Sequence, residues 1–213
     1  MRSKDPTIRA AIEARTRELV ASSGIDGFSM HKLARAVGIS PATLYVHFQD
    51  REDLLVQVYR TALEQLTSAL LADFSPELPF AEGLRLQWRN RLRLALEDPV
   101  ASDFLDAMRH SPYHAAAAEE ADGIPNAMRT FVSNAMARGE LVRLPVEIFW
   151  SIAYAPLYQL IRFHRSGHGL PRPGCGESDF QLDDTAVDLA FTQVLRALTP
   201  ESGRPSNETR ATP

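Results

Sequence analysis

Apolar residues recur at three- and four-residue spacing along nearly the whole of this 213-residue chain. The first segment, for example, places Ile8, Ile12, Arg15 and Leu19 on one side of a helix. No stretch alternates apolar and polar residues with the β-branched enrichment that is typical of strands. The sequence therefore predicts an all-α fold.

Start and stop residues divide this pattern into ten predicted helices. Pro6 after Asp5 is typical of a helix start, and Gly24 is typical of a helix end. The predicted helices span residues 6–22, 30–36, 41–47, 51–72, 80–97, 100–110, 115–121, 124–138, 146–166 and 183–198. The loop 165–181 is rich in Gly and Pro, and we expect the polar tail 199–213 to be disordered.

Composition excludes several classes of protein. The single cysteine, Cys175, cannot form a disulfide within one chain, and this fits a reducing compartment. The most apolar stretch, 146–163, contains Glu147, Arg162 and a central Pro156, so it is too interrupted to span a bilayer comfortably. No run of the signal-peptide type is visible. We therefore expect a cytoplasmic protein with no membrane partner.

Charge is distributed unevenly along the chain, whose net charge is −4. The first 60 residues hold nine Lys and Arg against seven Asp and Glu, and the remainder holds fourteen against twenty. This balance argues against a general nucleic-acid coat. It does allow DNA to attract one end of the molecule and repel the other.

The stretch FSMHKLARAVGISPATLYVHF, which begins at Phe28, predicts two short helices around a tight turn. Ser29 can cap the first helix, and Gly38 suits the positive φ that ends a helix sharply. Ser40 can cap the second helix, and Pro41 suits its first position. Leu44 and Phe48 are four residues apart and should point inward together.

The other side of the second helix is then left open. The residues expected there are Ala42, Thr43, Val46 and His47, with Tyr45 near the edge. An exposed short helix with small residues at its start fits the major groove of DNA. The alternative is a helical hairpin that packs on another part of a protein.

The run FSMHKLARAVGISPATLYVHFQDREDLL resembles the DNA-binding head of the TetR family of bacterial transcriptional regulators, over roughly residues 8–55. The cap, the Ala-x-x-x-Gly-x-Ser turn, the Leu-Tyr-x-His-Phe run and the following Glu-x-Leu-Leu occur in the family's order. Two positions depart mildly from the family pattern. Val37 replaces a commoner alanine, and Arg51 stands where the family often has lysine.

The resemblance implies that residues 40–46 enter the major groove and that Tyr45, His47 and Arg51 hold phosphates. The candidate DNA-binding residues are Ser29, Lys32, Ser40, Pro41, Ala42, Thr43, Tyr45, Val46, His47 and Arg51.

The resemblance also implies a division of the chain. Residues 1–50 would form the helix-turn-helix head, and 51–198 would form a helical body that binds an effector and dimerises. The implied partners are a near-palindromic operator duplex, a small-molecule effector and a second copy of the chain.

No effector follows from the resemblance, so the candidate cavity rests on the residues themselves. Aromatic and Met side chains suit an adaptable cavity for an apolar or aromatic effector, and they suit a filled core equally well. Arg91 falls inside an apolar helix face, so it needs either an anionic ligand or a carboxylate partner such as Asp106. The candidate ligand-binding residues are Trp88, Arg91, Leu92, Phe104, Met108, Met128, Phe131 and Phe149.

Helix 146–166 is apolar on nearly all sides and must be covered all round. Paired with helix 183–198 across a two-fold axis, it would form a four-helix dimer interface, as the family does. The candidate interface residues are Ile152, Leu160, Val187, Phe191, Val194 and Leu195. The alternative is a buried hairpin within one chain.

No catalytic motif or cofactor signature occurs in the sequence. His164, His168 and Cys175 form only a weak metal pattern, and we expect no metal site. The sequence therefore predicts a ligand-responsive DNA-binding regulator, most often a repressor. The alternatives are a ligand-independent dimeric DNA-binding protein and a small enzyme that uses the helical cavity.

Overall fold

The computed structural model describes residues 5–118, 123–167 and 180–200, and these residues contain helices and no strand. All ten predicted helices are present within the described ranges, so the predicted all-α fold is confirmed. The helices are α1 (Pro6–Gly27), α2 (Met30–Val37), α3 (Pro41–His47), α4 (Arg51–Leu70), α5 (Phe80–Glu97), α6 (Pro99–Arg109), α7 (His114–Ala118), α8 (Gly123–Ala137), α9 (Val146–Ser166) and α10 (Asp184–Leu198). No described helix is long and apolar enough to cross a bilayer.

The ends of α1 show how local sequence sets a helix boundary. The Asp5 carboxylate accepts a hydrogen bond of 2.8 Å from the Thr7 N–H and caps the start of the helix. Gly24 has φ 69°, which interrupts the helical path, and the chain then continues as a further turn to Gly27. The predicted stop at Gly24 is therefore a kink.

The buried stripe of α1 is Ile12, Thr16 and Val20. Arg15, expected in this stripe, is exposed and pairs with Glu18. Thr16 is buried because its hydroxyl donates a hydrogen bond of 2.8 Å to the Ile12 carbonyl. A small residue whose one polar group is satisfied within the helix can occupy a core position that a guanidinium cannot.

The described residues fall into two compact units. Unit 1 comprises Met1–Phe74 and Arg89–Met128, and unit 2 comprises Ser75–Trp88 and Arg129–Pro213. These units place α4 and α6 with α1 to α3, whereas the predicted functional division falls after residue 50. That functional division stays a prediction.

Unit 1 is built around α1, which packs against α2, α4 and α6. Its core draws on every one of these helices and on α3; the fully buried members include Ile12, Val20, Leu33, Leu44, Leu54, Leu55, Phe104 and Met108. Asn90 is also buried here, and its amide donates to the carbonyls of Leu70 and Ala72 at 3.1 and 3.0 Å. This side chain satisfies carbonyls at the end of α4 that have no partner within the helix.

Unit 2 is held together by packing of α9 on α10 and by aromatic contacts. The Phe80 ring stacks on Phe131 with centroids 5.8 Å apart, and Phe149 lies 6.4 Å from Phe80. Gly83 allows this packing, because a Cβ atom at residue 83 would lie 2.5 Å from the Phe131 ring. Aromatic burial of this kind is a large source of stability for a unit of this size.

A candidate DNA interface on helices α2 and α3

Local capping fixes the turn between α2 and α3. The Ser29 hydroxyl accepts from the Lys32 N–H, and the Ser40 hydroxyl accepts from the Thr43 N–H, both at 3.2 Å. Gly38 adopts φ 76°, the left-handed conformation that a side chain disfavours. The predicted caps and turn are confirmed. The geometry of α3 therefore follows from residues that are close together in the sequence.

The short helix α3 has one buried side and one exposed side. Leu44 and Phe48 are buried, as predicted. Tyr45 is 55% exposed and Val46 is 40% exposed, although both are large and apolar or half-apolar. Pro41 and Ala42 are also exposed. Thr43 is half-buried, and its hydroxyl lies 2.9 Å from that of Ser40.

His47 does not lie on the open side of α3, and that prediction is wrong. The side chain is only 5% exposed, and its Nδ1 has no hydrogen-bond partner among the described residues. His47 follows the buried Leu44 by three residues, so the two share a helix face. In this conformation the His47 side chain packs on the buried side of α3, so it cannot reach a phosphate directly.

Arg51, the candidate phosphate ligand at the start of α4, is engaged within unit 1. Its guanidinium donates to the Tyr113 hydroxyl at 2.8 Å and to the Ile25 carbonyl at 2.7 Å. It also lies 5.8 Å from the centre of the Phe28 ring. Arg51 therefore links Ile25 in α1 to Tyr113, which lies between α6 and α7. Tyr113 lies far away in sequence, and no local pattern indicates this contact.

Helix α2 adds two exposed polar side chains that the sequence analysis did not select. His31 and Arg35 are exposed and lie four residues apart on one face, beside the predicted Lys32. The Lys32 ammonium donates to the Gly27 carbonyl at 2.8 Å. Ser29, the other predicted DNA-binding residue at this end of α2, is half-buried. His31 and Arg35 could have been identified from the sequence, because they are four residues apart on the face opposite the apolar Leu33 and Ala34.

The candidate effector residues are divided between the two units. Phe104 and Met108 lie in the unit 1 core, where the Tyr59 ring meets Phe104 edge-on with centroids 6.2 Å apart. The buried Met128 and the half-buried Leu92 also belong to unit 1. Trp88, Phe131 and Phe149 are buried in unit 2.

Arg91 is buried, with 4% of its surface exposed, as its place in the apolar face predicts. The side chain of Asp106 is 73% exposed and lies 4.0 Å from His110. A carboxylate that faces solvent is a poor candidate for the partner of a buried guanidinium, so the specific pairing with Asp106 is not supported.

Two of the six predicted dimer-interface residues are buried inside the chain itself. Phe191 is 2% exposed and packs edge-on against Trp88 with centroids 5.4 Å apart, while the Arg85 guanidinium lies 4.1 Å from its ring. Val194 is 5% exposed. The apolar face of α10 thus covers its own unit, and Phe191 and Val194 are removed from the predicted interface.

The remaining interface candidates are half-buried: Ile152, Leu160, Val187 and Leu195. More exposed apolar side chains lie on the same two helices and were not predicted. Ile148 and Tyr158 on α9 are 47% and 48% exposed, and Leu189 on α10 is 64% exposed.

The weak metal pattern gains no support from the described residues. The Nδ1 of His164 accepts a hydrogen bond of 3.3 Å from the Leu182 N–H. His168 and Cys175 lie outside the described residues. No group of three His, Cys, Asp or Glu side chains within the described part of the chain could hold a metal ion.

Two capped helices, a left-handed glycine between them and an exposed second helix define a helix-turn-helix protein. Comparison with known proteins leads to the same class. Residues 12–58 match the model of bacterial regulatory proteins of the tetR family. An HTH-type transcriptional regulator of Haemophilus influenzae is 29% identical over 100 residues, which cover 47% of this chain and 54% of the relative. The chain therefore spans about half the length of that relative.

Solved structures extend the similarity to nearly the whole chain. A TetR family transcription regulator from Marinobacter aquaeolei is 28% identical, with a TM-score of 0.74 over 93% of this chain and 98% of the other. FadR of Bacillus subtilis, solved in complex with stearoyl-CoA, has a TM-score of 0.66 over 88% of this chain and 96% of its own; at 18% identity it shows the fold alone. The matching family model, the solved TetR family neighbours and the curated regulators together support a TetR family regulator.

Proposed function

We propose that the protein is a dimeric repressor that leaves its operator when a small molecule binds the helical body. The observation that carries this proposal is the exposure of Tyr45, Val46, Ala42 and Pro41 on a helix whose other side is buried. Large apolar surface on a seven-residue helix is costly in water unless a partner covers it. The major groove has the width to admit such a helix.

Charge supports DNA as that partner. Between residues 28 and 50 the head carries two cations, Lys32 and Arg35, against one carboxylate, Asp50. The net charge of the whole chain is −4, so this end is basic relative to the remainder. Phosphate contacts from such residues would position α3, and side chains on its exposed face would contact bases.

Two variants test the DNA proposal. Tyr45→Phe removes a hydroxyl that can donate to a phosphate, so operator and random DNA should both bind more weakly. Thr43→Ala should act mainly on the operator, since a lost base contact costs about 1–3 kcal/mol of discrimination. Titration of both duplexes at fixed salt separates the two effects. Val100→Ala is a control, because Val100 is 40% exposed but lies on α6.

Unchanged binding by Tyr45→Phe and Thr43→Ala would contradict the assignment of α3 as the recognition helix. Binding that weakens equally in the Val100→Ala control would point to a general loss of folding.

The proposed dimer uses α9 and α10. Because Phe191 and Val194 are buried within the chain, other residues of these helices must form the interface. Ile148, Tyr158 and Leu189 remain apolar and exposed on these helices, so a second copy would cover them. Two heads related by a two-fold axis would match a near-palindrome whose half-sites lie about one helical turn apart.

The proposed effector binds the body and changes the spacing of the two heads. It does so by favouring a conformation that cannot span both half-sites. Stearoyl-CoA bound to FadR, which has a similar fold, supports a small molecule with an apolar part as a possible ligand for this architecture. The apolar rings of Trp88, Phe131 and Phe149 in unit 2 suit such a molecule.

Both tryptophans, Trp88 and Trp150, belong to unit 2, so intrinsic fluorescence reports on the proposed effector domain and not on α1 to α3. An effector should change this emission and release the operator over the same concentration range. A ligand that changes emission without affecting operator binding would favour a ligand-independent DNA-binding protein.

A further inference from the structure

The side chains of α3 are unusual for a helix that recognises bases in DNA. Its sequence, PATLYVH, contains no Arg, Lys, Asn or Gln. These four side chains make the bidentate hydrogen bonds that distinguish guanine and adenine in the major groove. The helix therefore lacks the groups for that form of base recognition.

The polar groups that α3 does carry are mostly occupied or removed from its exposed side. The Thr43 hydroxyl lies 2.9 Å from the Ser40 hydroxyl, and Thr43 itself is half-buried. His47 is 5% exposed. Tyr45 retains its hydroxyl at the edge of the helix and is 55% exposed.

Methyl groups dominate what remains. Val46 is 40% exposed, and Ala42, four residues earlier on the same face, is exposed as well. Neither side chain can donate or accept a hydrogen bond. The only apolar group that a base pair presents in the major groove is the C5-methyl group of thymine.

We infer that the operator carries thymines whose methyl groups pack against Ala42 and Val46, so that α3 recognises A·T pairs through apolar contact. The inference rests on the proposed function and specifies the class of DNA sequence that this site takes. Exposed cations on α2, Lys32 and Arg35, supply the complementary charge for the phosphates beside this apolar face. At these thymine positions recognition depends on methyl groups, hydrogen bonds to phosphate fix the position of the helix, and the base contact of Thr43 tested above would lie at another position.

Deoxyuridine tests this inference at the level of single atoms, because it pairs like thymine and lacks only the methyl group. The full-length dimer is first used to select an operator from a library of random duplexes. Each thymine of the selected duplex is then replaced singly by deoxyuridine, and binding is titrated at fixed salt. At one or more positions in each half-site, removal of the methyl group should weaken binding about fourfold.

Val46→Ala should bind the parent operator more weakly, and it should lose less affinity than the wild type when deoxyuridine replaces the thymine that Val46 contacts. Val100→Ala is a matched control: Val100 is also 40% exposed but lies on α6, so this variant should keep the full dependence on the methyl group. Circular dichroism melts of both variants check that the helices are intact.

Failure of the inference and failure of the proposed function give different results. If every deoxyuridine operator binds as tightly as its parent, or if Val46→Ala keeps the same dependence, the methyl assignment is overturned and the regulator proposal stands. If the selection enriches no sequence at all, the operator proposal fails, and the thymine inference fails with it.

Discussion

The indole Nε1 of Trp88 donates a hydrogen bond of 2.8 Å to the backbone carbonyl of Ala153, three residues before Pro156 in α9. Pro156 has no N–H and cannot complete the helical hydrogen bond to the carbonyl four residues earlier. The carbonyl that loses its helical partner is that of Ile152, and Trp88 binds the next carbonyl along the same turn of α9. The contact joins α5 to α9 within unit 2.

Replacing Trp88 by phenylalanine should destabilise the protein by about 1–3 kcal/mol, because it removes a buried hydrogen bond and part of the packing against Phe191. Urea unfolding followed by circular dichroism measures the change. Trp150→Phe is the control, since Trp150 is only half-buried. Equal stability of Trp88→Phe and wild type would show that the hydrogen bond contributes nothing to unit 2.

Gly83→Ala should also destabilise unit 2, although alanine favours helices over glycine by about 1 kcal/mol. The added Cβ would lie 2.5 Å from the Phe131 ring, which is itself buried against Phe80. Overpacking of this kind costs about 1–3 kcal/mol. Phe131→Leu provides the test of the mechanism, because the smaller side chain should make the alanine at residue 83 tolerable. A gain in stability from Gly83→Ala alone would argue against the close contact.

Leu189→Asp and Phe191→Ala should separate the dimer surface from the core. Leu189 is 64% exposed, so its charged variant should fold and should weaken the dimer. Phe191 is buried against Trp88, so Phe191→Ala should lower the stability of the chain by about 3–5 kcal/mol. Light scattering reports the oligomeric state, and thermal melts report stability. A Leu189→Asp variant that remains a dimer would exclude this part of α10 from the interface.

Acid should weaken the start of α5 through Glu140. The Glu140 carboxylate accepts from the Phe80 N–H at 2.8 Å and pairs with Arg138. The hydrogen bond from Arg138, and then that from Phe80, lowers the pKa of Glu140 below its ordinary value. A lowered pKa stabilises the folded state above the unfolded carboxyl's value of about 4.3, and this stability is lost as the pH falls through the folded value.

Glu140→Gln keeps an oxygen that can accept from the Phe80 N–H but removes the charge. Its unfolding free energy should therefore vary less with pH than that of the wild type below about pH 4.3. Glu140→Ala should be less stable than Glu140→Gln at neutral pH, because it also removes the acceptor. Parallel pH profiles for Glu140→Gln and wild type would contradict the proposed linkage.

Features that depend on neighbours in the sequence were predictable. The caps at Ser29 and Ser40 and the left-handed Gly38 each need only a few adjacent residues, and all three are present. The helices themselves follow from apolar spacing in the same way. The all-α fold was therefore accessible before any tertiary contact was known.

Features that depend on distant contacts were not predictable. Whether Phe191 faces a second copy or Trp88 cannot be read from an apolar stripe, since both partners would cover the same face. Arg51 looked like a free cation because Tyr113, its hydrogen-bond partner, lies 62 residues away. His47 was misplaced because a helix of seven residues leaves its last side chain near the boundary between the two faces.

The buried side of α3 constrains which substitutions the fold tolerates, and the exposed side does not. Leu44 and Phe48 tie the helix to the core, so changes there endanger the whole chain. Ala42, Tyr45 and Val46 contribute little to folding, because solvent already surrounds them. On the proposed role of α3 in DNA binding, a descendant copy can exchange these residues one at a time after gene duplication and acquire new target promoters while its architecture is preserved.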